Sequence, residues 1–477
     1  MFTRSSPNHP TADVIPFFED GWYHLFYLSP IDIAGDRLRT TWEHIRSRDL
    51  VSWEQLPTAI EPRDQDVDRD AAWTGSICKI DDKYVVFYTA RDLQRSDPQR
   101  LSTSVSIDLA HFEKADWTGL PAPSAPDWDI QNWRDPHVFQ TGDGRFHMTL
   151  SARRPTVDDE RTGVVAIADS DDGYTWGPAR AFYEAGDTFC PECTDVRKIG
   201  ETFILSYSTF SDRREVTFRI SDTFGERWAI PQNSTPDGAW WYAAKSLTNA
   251  AGEVISFGWV PDTKPSTSGR RPAVTEDRTL WGGDLAIPRQ LWMPASDELA
   301  WRLPDSIRDA FGERVGVEFH DRGEDRSLGK GKVTVGTVDS IARVDLTHEF
   351  DAGASLTEFD LEMEGQGRVS ILVDVSEARD RGFSLTFDAA TGIAVMRPFA
   401  PAGHADALHV DVVSHPFPSG TRLHLDLVRR GSVIEFCLND RTWFTTRSSE
   451  TATSLGLLCD GVALTVTATT ARAGDDS

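Results

Sequence analysis

The chain is poor in cysteine and in cations. Its five cysteines among 477 residues are an odd number and do not describe a disulfide framework. Cys190-Pro191-Glu192-Cys193 has the spacing of half a zinc site, but Cys437 and Cys459 lie far along the chain and supply no second half. The pair is read as two reduced side chains flanking Glu192, and neither a metal nor an organic cofactor is expected. Lys and Arg total 49 against 75 Asp and Glu, a formal charge of −26. Binding to nucleic acid draws on clustered cations, so nucleic acid and anionic membrane surfaces are excluded as partners, and polyanionic substrates fit poorly. No apolar run approaches the roughly 18–20 residues of a membrane span. The stretch Met1 to Pro10 lacks the apolar core of a signal peptide. The expectation is a cytoplasmic protein, or a secreted one if a leader has been removed.

Aromatic and turn residues are abundant by contrast: 16 Trp and 25 Phe stand beside 35 Gly and 26 Pro. They are arranged in a recurring unit. Asn132-Trp133-Arg134-Asp135-Pro136-His137-Val138-Phe139 leads into the turn Thr141 to Gly144 and resumes at Phe146 to Leu150, an alternating apolar hairpin. The same pattern starts at Asp13, Trp73, Glu192 and Trp241. The hairpins are followed by a second signal: Asp49 to Trp53, Asp108 to Phe112, Asp171 to Trp176 and Gly225 to Trp228. A period of about 50–60 residues is that of a repeat architecture. Five all-β repeats of about four short strands predict a five-bladed β-propeller, whose innermost strand starts converge on one funnel.

That convergence gives three scattered carboxylates a common purpose. Asp13, Asp135 and Glu192 occupy equivalent positions at the head of the first, third and fourth repeats. Neighbouring carboxyl groups raise one another's pKa, so one can hold a proton as general acid while another is ionised. Two carboxyl groups are what glycoside hydrolysis requires, one to attack or activate water and one to protonate the leaving oxygen.

Several ordered motifs resemble glycoside hydrolase family 32, the fructan and sucrose hydrolases that share a clan with family 68. Trp133-Arg134-Asp135-Pro136 is similar to its Arg-Asp-Pro motif, and Pro191-Glu192-Cys193-Thr194-Asp195 to its Glu-Cys-Pro-Asp motif. Gly21 to Tyr27, Trp42-Glu43-His44, Asp49 to Trp53, Trp73-Thr74-Gly75-Ser76, Gly238 to Ala243, Gly258-Trp259-Val260 and Leu285 to Arg289 resemble further family segments. The resemblance implies a retaining furanosidase of β-fructofuranosidase type, with Asp13 as nucleophile, Glu192 as acid/base and Asp135 as transition-state stabiliser. It also implies a sugar pocket served by Arg134, Trp42, Trp73, Ser76 and Trp241, with Trp133 and Trp240 as further stacking candidates. His137 is a candidate for tuning Asp135. The first motif departs from the family: where a Trp-x-Asn-Asp-Pro-Asn-Gly segment is usual, this chain has Thr11-Ala12-Asp13-Val14-Ile15-Pro16-Phe17, without either Asn. Alternatives kept open are action on arabinofuranosides, fructosyl transfer, and a carbohydrate-binding propeller without chemistry. The partner expected is a small carbohydrate, with homo-oligomerisation open.

After about Pro304 the pattern changes. Residues 1–304 are assigned to the propeller, 305–318 to a linker with a short helix at Ser306 to Phe311, and 319–477 to a C-terminal β-sandwich. Strands are predicted at Ser355 to Glu364, Arg368 to Val375, Gly382 to Asp388, Ile393 to Arg397, Leu408 to Val413, Arg422 to Arg430, Val433 to Leu438 and Thr453 to Cys459. A disordered tail is expected at Ala471 to Ser477.

Overall fold

Alternating apolar residues bounded by Gly, Asp and Asn turns dictate short antiparallel strands, and the chain is nearly all β. The computed structural model describes residues 1–473 except 2–3, 5–8, 33–37, 116, 118, 125, 156–160, 210–213, 263–281, 322–325, 339–340, 348–352, 376–381, 399–412, 418–421 and 449–453. The chain divides into two compact units. One comprises residues 2–235 and 239–299, the other Met1, residues 236–238 and residues 300–477.

The first unit is a five-bladed β-propeller. Blade one holds β1 (Ala12–Glu19), β2 (Trp22–Asp32), β3 (Leu38–Ser47) and β4 (Trp53–Ile60). Blade two holds β5 (Ala71–Ile80), β6 (Lys83–Arg91), β7 (Gln99–Ser106) and β8 (Glu113–Ala115). Blade three holds β9 (Arg134–Gln140), β10 (Phe146–Arg153), β11 (Gly163–Ser170) and β12 (Arg180–Glu184). Among the described residues blade four has three strands, β13 (Glu192–Ile199), β14 (Thr202–Ser208) and β15 (Val216–Ser221). In place of a fourth strand it has an isolated bridge between Ile220 and Ala229. Blade five holds β16 (Tyr242–Thr248), β17 (Val254–Pro261), β18 (Gly283–Leu285), β19 (Arg289–Ala295) and β20 (Glu298–Arg302). The innermost strands β1, β5, β9, β13 and β16 border one another in a closed ring. The ring is sealed where Thr11 N donates to Gly283 O at 2.8 Å and Gly283 N to Thr11 O at 2.9 Å.

In the first three repeats the second signal is one physical device. Asp49 Oδ1 accepts from the backbone N–H of Val51 and Ser52, each at 2.8 Å. Asp108 accepts from Ala110 and His111 at 2.9 Å, and Asp172 from Tyr174 and Thr175 at 2.7 Å. Ser47, Ser106 and Ser170, two residues upstream, brace these Asx turns.

A second shared feature positions the site. Each innermost strand carries one residue more than its partner in its first few positions. The extra residue falls between Ala12 and Val14, Trp73 and Gly75, Arg134 and His137, Glu192 and Asp195, and Tyr242 and Lys245. A bulge of this kind bends the strand and re-aims its side chains. Asp135 (φ 54°), Cys193 (φ 53°) and Ala243 (φ 50°) take left-handed backbone at these bulges, a conformation that costs a non-glycine residue on the order of 1–3 kcal/mol.

The second unit is sheet-rich, with the character of a β-sandwich. The expected short helix is present at Asp305–Ala310. The two strands predicted at 355–364 and 368–375 are one 20-residue strand, Ala354–Val373, kinked by a bulge between Gly365 and Arg368 rather than ended there. The last strand runs over Leu455–Arg472, so Ala471 and Arg472 belong to a strand and not to a tail. Of the tail, residues 474–477 lie outside the described residues, as do 408–412 of the predicted strand at Leu408 to Val413. Strands at Glu318–Asp321, Lys332–Val335 and Ile341–Thr347 were not anticipated. Phe319, Phe359, Ile371, Phe387, Phe436 and Leu457 are among the buried side chains of this unit's core.

Candidate active site

The bulges bring residues from all five blades to one end of the ring. Asp13 is the extra residue of β1. Its Oδ2 accepts from Thr74 Oγ1 at 2.6 Å, and its Oδ1 from Trp259 Nε1 at 3.2 Å, tying blade one to blades two and five. Asp135 on β9 is buried; its Oδ2 accepts from Cys193 N at 2.9 Å and Ser151 Oγ at 3.1 Å, while its own N–H donates to Thr89 Oγ1 at 2.9 Å. Glu192 opens β13 and stays half-buried. Arg134 Nη2 donates to its Oε1 at 3.0 Å and the Tyr242 hydroxyl to its Oε2 at 2.6 Å. Arg134 Nε also lies 3.8 Å from Asp135 Oδ2, so one guanidinium serves two carboxylates.

Electrostatics couples the three acids. Burial pushes the Asp13 carboxyl up to about 7, and the charges of Asp135 and Glu192 add to that while the Thr74 and Trp259 hydrogen bonds oppose it. Burial also raises Asp135, and Glu192 adds to it; Arg134 and the Cys193 N–H pull it back. The Cys193 thiol is pushed well up by burial and then by Asp13 and Asp135, and Cys190 to about 12 by burial. Neither supplies a thiolate at neutral pH.

The aromatic residues expected to wall the pocket divide into two sets. Trp73 is half-buried, with the Arg91 guanidinium over its ring at 4.3 Å. Trp42 and Trp133 are 0% exposed and Trp241 1%. Trp42 Nε1 donates to Trp73 O at 3.1 Å, Trp133 Nε1 to Pro121 O at 3.0 Å, and Arg289 lies over the Trp241 ring. Trp240 is buried as well. These four pack the interior and present no open face to a sugar, which corrects the substrate-binding expectation for Trp42 and Trp241. Ser76 is buried, and its Oγ accepts from Val138 N at 2.8 Å, joining blades two and three. His137 turns away from Asp135 and faces Asp195, with Nε2 3.3 Å from Asp195 Oδ1.

Tyr242, Trp259, Thr74 and Ser151 hold the carboxylates; the first three fall in motif segments read from the sequence, but none of the four is given a site role there. Tyr242 follows Trp241 directly. In a strand, neighbouring side chains point to opposite faces, so a register error of one residue exchanges the core aromatic for the site aromatic.

The family model for the N-terminal domain of glycosyl hydrolases family 32 matches residues 8–302. A sucrose-6-phosphate hydrolase of Zymomonas mobilis subsp. mobilis is 28% identical over 305 residues, 57% of this chain and 56% of the relative. The beta-fructofuranosidase, insoluble isoenzyme CWINV6, of Arabidopsis thaliana is 24% identical over 67% of this chain and 63% of its own. The chain thus spans somewhat over half the length of these curated relatives. A 6(G)-fructosyltransferase of Asparagus officinalis is 29% identical over 175 residues, 34% of this chain and 27% of its own. Among solved structures, fructan 1-exohydrolase IIa from Cichorium intybus superposes with a TM-score of 0.76 at 17% identity, covering 99% of this chain and 96% of that one. Sucrose-6-phosphate hydrolase from Lactobacillus gasseri gives 0.74 at 19% identity, covering 99% and 93%. At these identities the structural matches speak to the fold.

Proposed function

The chain belongs to glycosyl hydrolases family 32, and on that premise we propose that it is a retaining furanosidase that releases a terminal β-D-fructofuranosyl residue. The observation that carries this reading is the grouping of Asp13, Asp135 and Glu192, from three different blades, into one electrostatically coupled cluster.

Asp13 attacks the anomeric carbon and expels the leaving oxygen, which takes its proton from Glu192. Water, deprotonated by Glu192, then breaks the Asp13–sugar ester and restores both carboxyl groups. Thr74 and Trp259 fix the Asp13 oxygens, so little reorganisation precedes attack. Arg134 and Tyr242 hold the two oxygens of Glu192 and set its orientation. Asp135, gripped by Cys193 N and Ser151, accepts sugar hydroxyls in this reading, an interaction that accelerates the reaction only if it strengthens in the oxocarbenium-like transition state. Retaining pairs stand about 5–5.5 Å apart.

A second reading keeps every step but the last: a sugar hydroxyl replaces water, giving fructosyl transfer, the activity named for the Asparagus relative. Incubation with sucrose, sucrose 6-phosphate, inulin, levan, and arabinofuranosyl and galactofuranosyl glycosides, followed by chromatography, separates these readings. Fructose release that disappears in Glu192→Gln supports hydrolysis, and longer oligosaccharides support transfer. Arabinose alone would move the substrate class, and no product despite sugar binding would refute the enzyme reading.

A further inference from the structure

The ring has a second end. Beyond the bulges the innermost strands run on, and their far halves line a half-open cavity of about 230 Å³, where one water needs only roughly 10–15 Å³. Phe17, Ile77, Val138, Phe139 and Leu247 supply apolar wall. Phe139 stands four residues along β9 from Asp135, roughly 13 Å at strand rise, so this space is distinct from the carboxylate cluster. Its charged lining consists of Lys79, Arg197 and Lys245, with no carboxylate. In a chain with 75 acids and 49 bases, an all-cation lining is the reverse of the average surface.

The charges nearby do not cancel. Asp195 Oδ1 lies 3.1 Å from Arg197 Nη2 and 3.3 Å from His137 Nε2, while its Oδ2 accepts from Ser246 N at 3.1 Å and Ser246 Oγ at 2.5 Å. Asp195 therefore pairs with Arg197 at contact distance and acts on Lys245 from farther off, one carboxylate for two cations; His137, pushed well down by burial, adds no charge. Lys79 at the exposed edge pairs with Glu19. Lys245 remains. It is 3% exposed, and its Nζ donates to Thr194 O at 2.7 Å; among the described residues it makes no ion pair. Burial lowers the Lys245 pKa, and the strongest opposing charge, Asp195, is shared with Arg197; a buried ammonium only partly compensated costs several kcal/mol, and it borders a cavity large enough for an anion.

We propose that this end of the channel binds a small oxyanion, of the phosphate, sulfate or carboxylate type, held by Lys245 and Arg197 and admitted past Lys79. The apolar wall beside the cations lowers the local dielectric, which strengthens such charge-assisted hydrogen bonds. The proposal stands independently of the reaction at the other end.

The test is thermal unfolding of the full chain with inorganic phosphate, sulfate or acetate, each against chloride at matched ionic strength. The expected result is a saturable rise in Tm with at least one of these anions, retained in Glu192→Gln and insensitive to fructose. Thr248→Glu places a carboxylate at the exposed margin of the cavity, and Lys79→Gln removes the entrance cation. Both variants keep the buried residues, and each is expected to weaken anion affinity on the order of tenfold without changing sugar release. Absence of a saturable effect overturns the proposal, as does an effect that both variants leave untouched. Competition of the anion with the sugar substrate also overturns it, because the anion then sits with Arg134 instead.

Discussion

Replacing Asp13 by Asn removes the proposed nucleophile and, on the electrostatics of the site, stabilises the fold. The carboxyl titrates near 7 in the native protein and near 3.9 in an unfolded chain, a difference equivalent to about 4 kcal/mol once both states are ionised. Asn keeps one acceptor oxygen for Thr74 Oγ1 and Trp259 Nε1 and turns an amide toward the other, a loss of about 1–2 kcal/mol. Relaxation around the charge trims the first figure further, leaving a net gain of roughly 1–3 kcal/mol above about pH 8. The sign follows from proton linkage. Because the native pKa is raised, the stability tied to this group is fully present below about pH 4 and is lost as pH rises through 7. The Asn variant binds no proton and escapes that loss. Its advantage over the wild type is therefore absent or negative near pH 4, grows up to about pH 7 and then levels off. Urea unfolding followed by tryptophan fluorescence at several pH values measures this directly. A stability difference that does not change with pH would show that the site does not destabilise the Asp13 carboxylate.

The same coupling predicts that kcat/KM falls on acidification through about pH 7, the macroscopic titration of the cluster dominated by Asp13; initial rates across the pH range test this, and a limb near 4 contradicts it. Glu192→Gln lowers kcat on the order of 10²–10⁴-fold while the thermal midpoint changes little, read from steady-state kinetics beside a melting curve. Tyr242→Phe removes the donor to Glu192 Oε2 and lowers kcat/KM by about tenfold, the worth of one hydrogen bond to a charged group; unchanged kinetics would take Tyr242 out of the site. In Gly75→Ala the new Cβ would stand 1.9 Å from Phe87 O, so the strand must shift beside Thr74, with a stability loss of about 3 kcal/mol or more by denaturant titration.

Local patterning carried much of the fold. The hairpin at Val138 to Met148 and the Asp49, Asp108 and Asp172 turns depend on residues within a few positions of one another, so alternation and turn chemistry expose them. The grouping of Asp13, Asp135 and Glu192 was readable because a repeat places equivalent strand starts together. The bulges were not readable: an extra residue at Asp13, Asp135 or Cys193 shows only against the partner strand's register. That blind spot explains the exchange of Trp241 for Tyr242, since the bulge that starts at Tyr242 decides which aromatic faces Glu192. Trp42 misled for a different reason. Its indole N–H is satisfied by Trp73 O inside the core, a partner 31 residues away that no local pattern reveals. The strand Ala354–Val373 crosses Gly365 because the long Leu455–Arg472 strand pairs along its whole length, tertiary support that overrides a glycine's usual signal of interruption.

The assignment of Asp13 as nucleophile is tested most directly by trapping the intermediate. Glu192→Gln, which slows breakdown of the ester, is mixed with a fructosyl donor bearing an activated leaving group, quenched with acid and digested for peptide mass analysis. One fructosyl residue is expected on the peptide carrying Asp13, and none in the Asp13→Asn, Glu192→Gln double variant. A label on Asp135, or turnover with inversion at the anomeric carbon and no label, would contradict it.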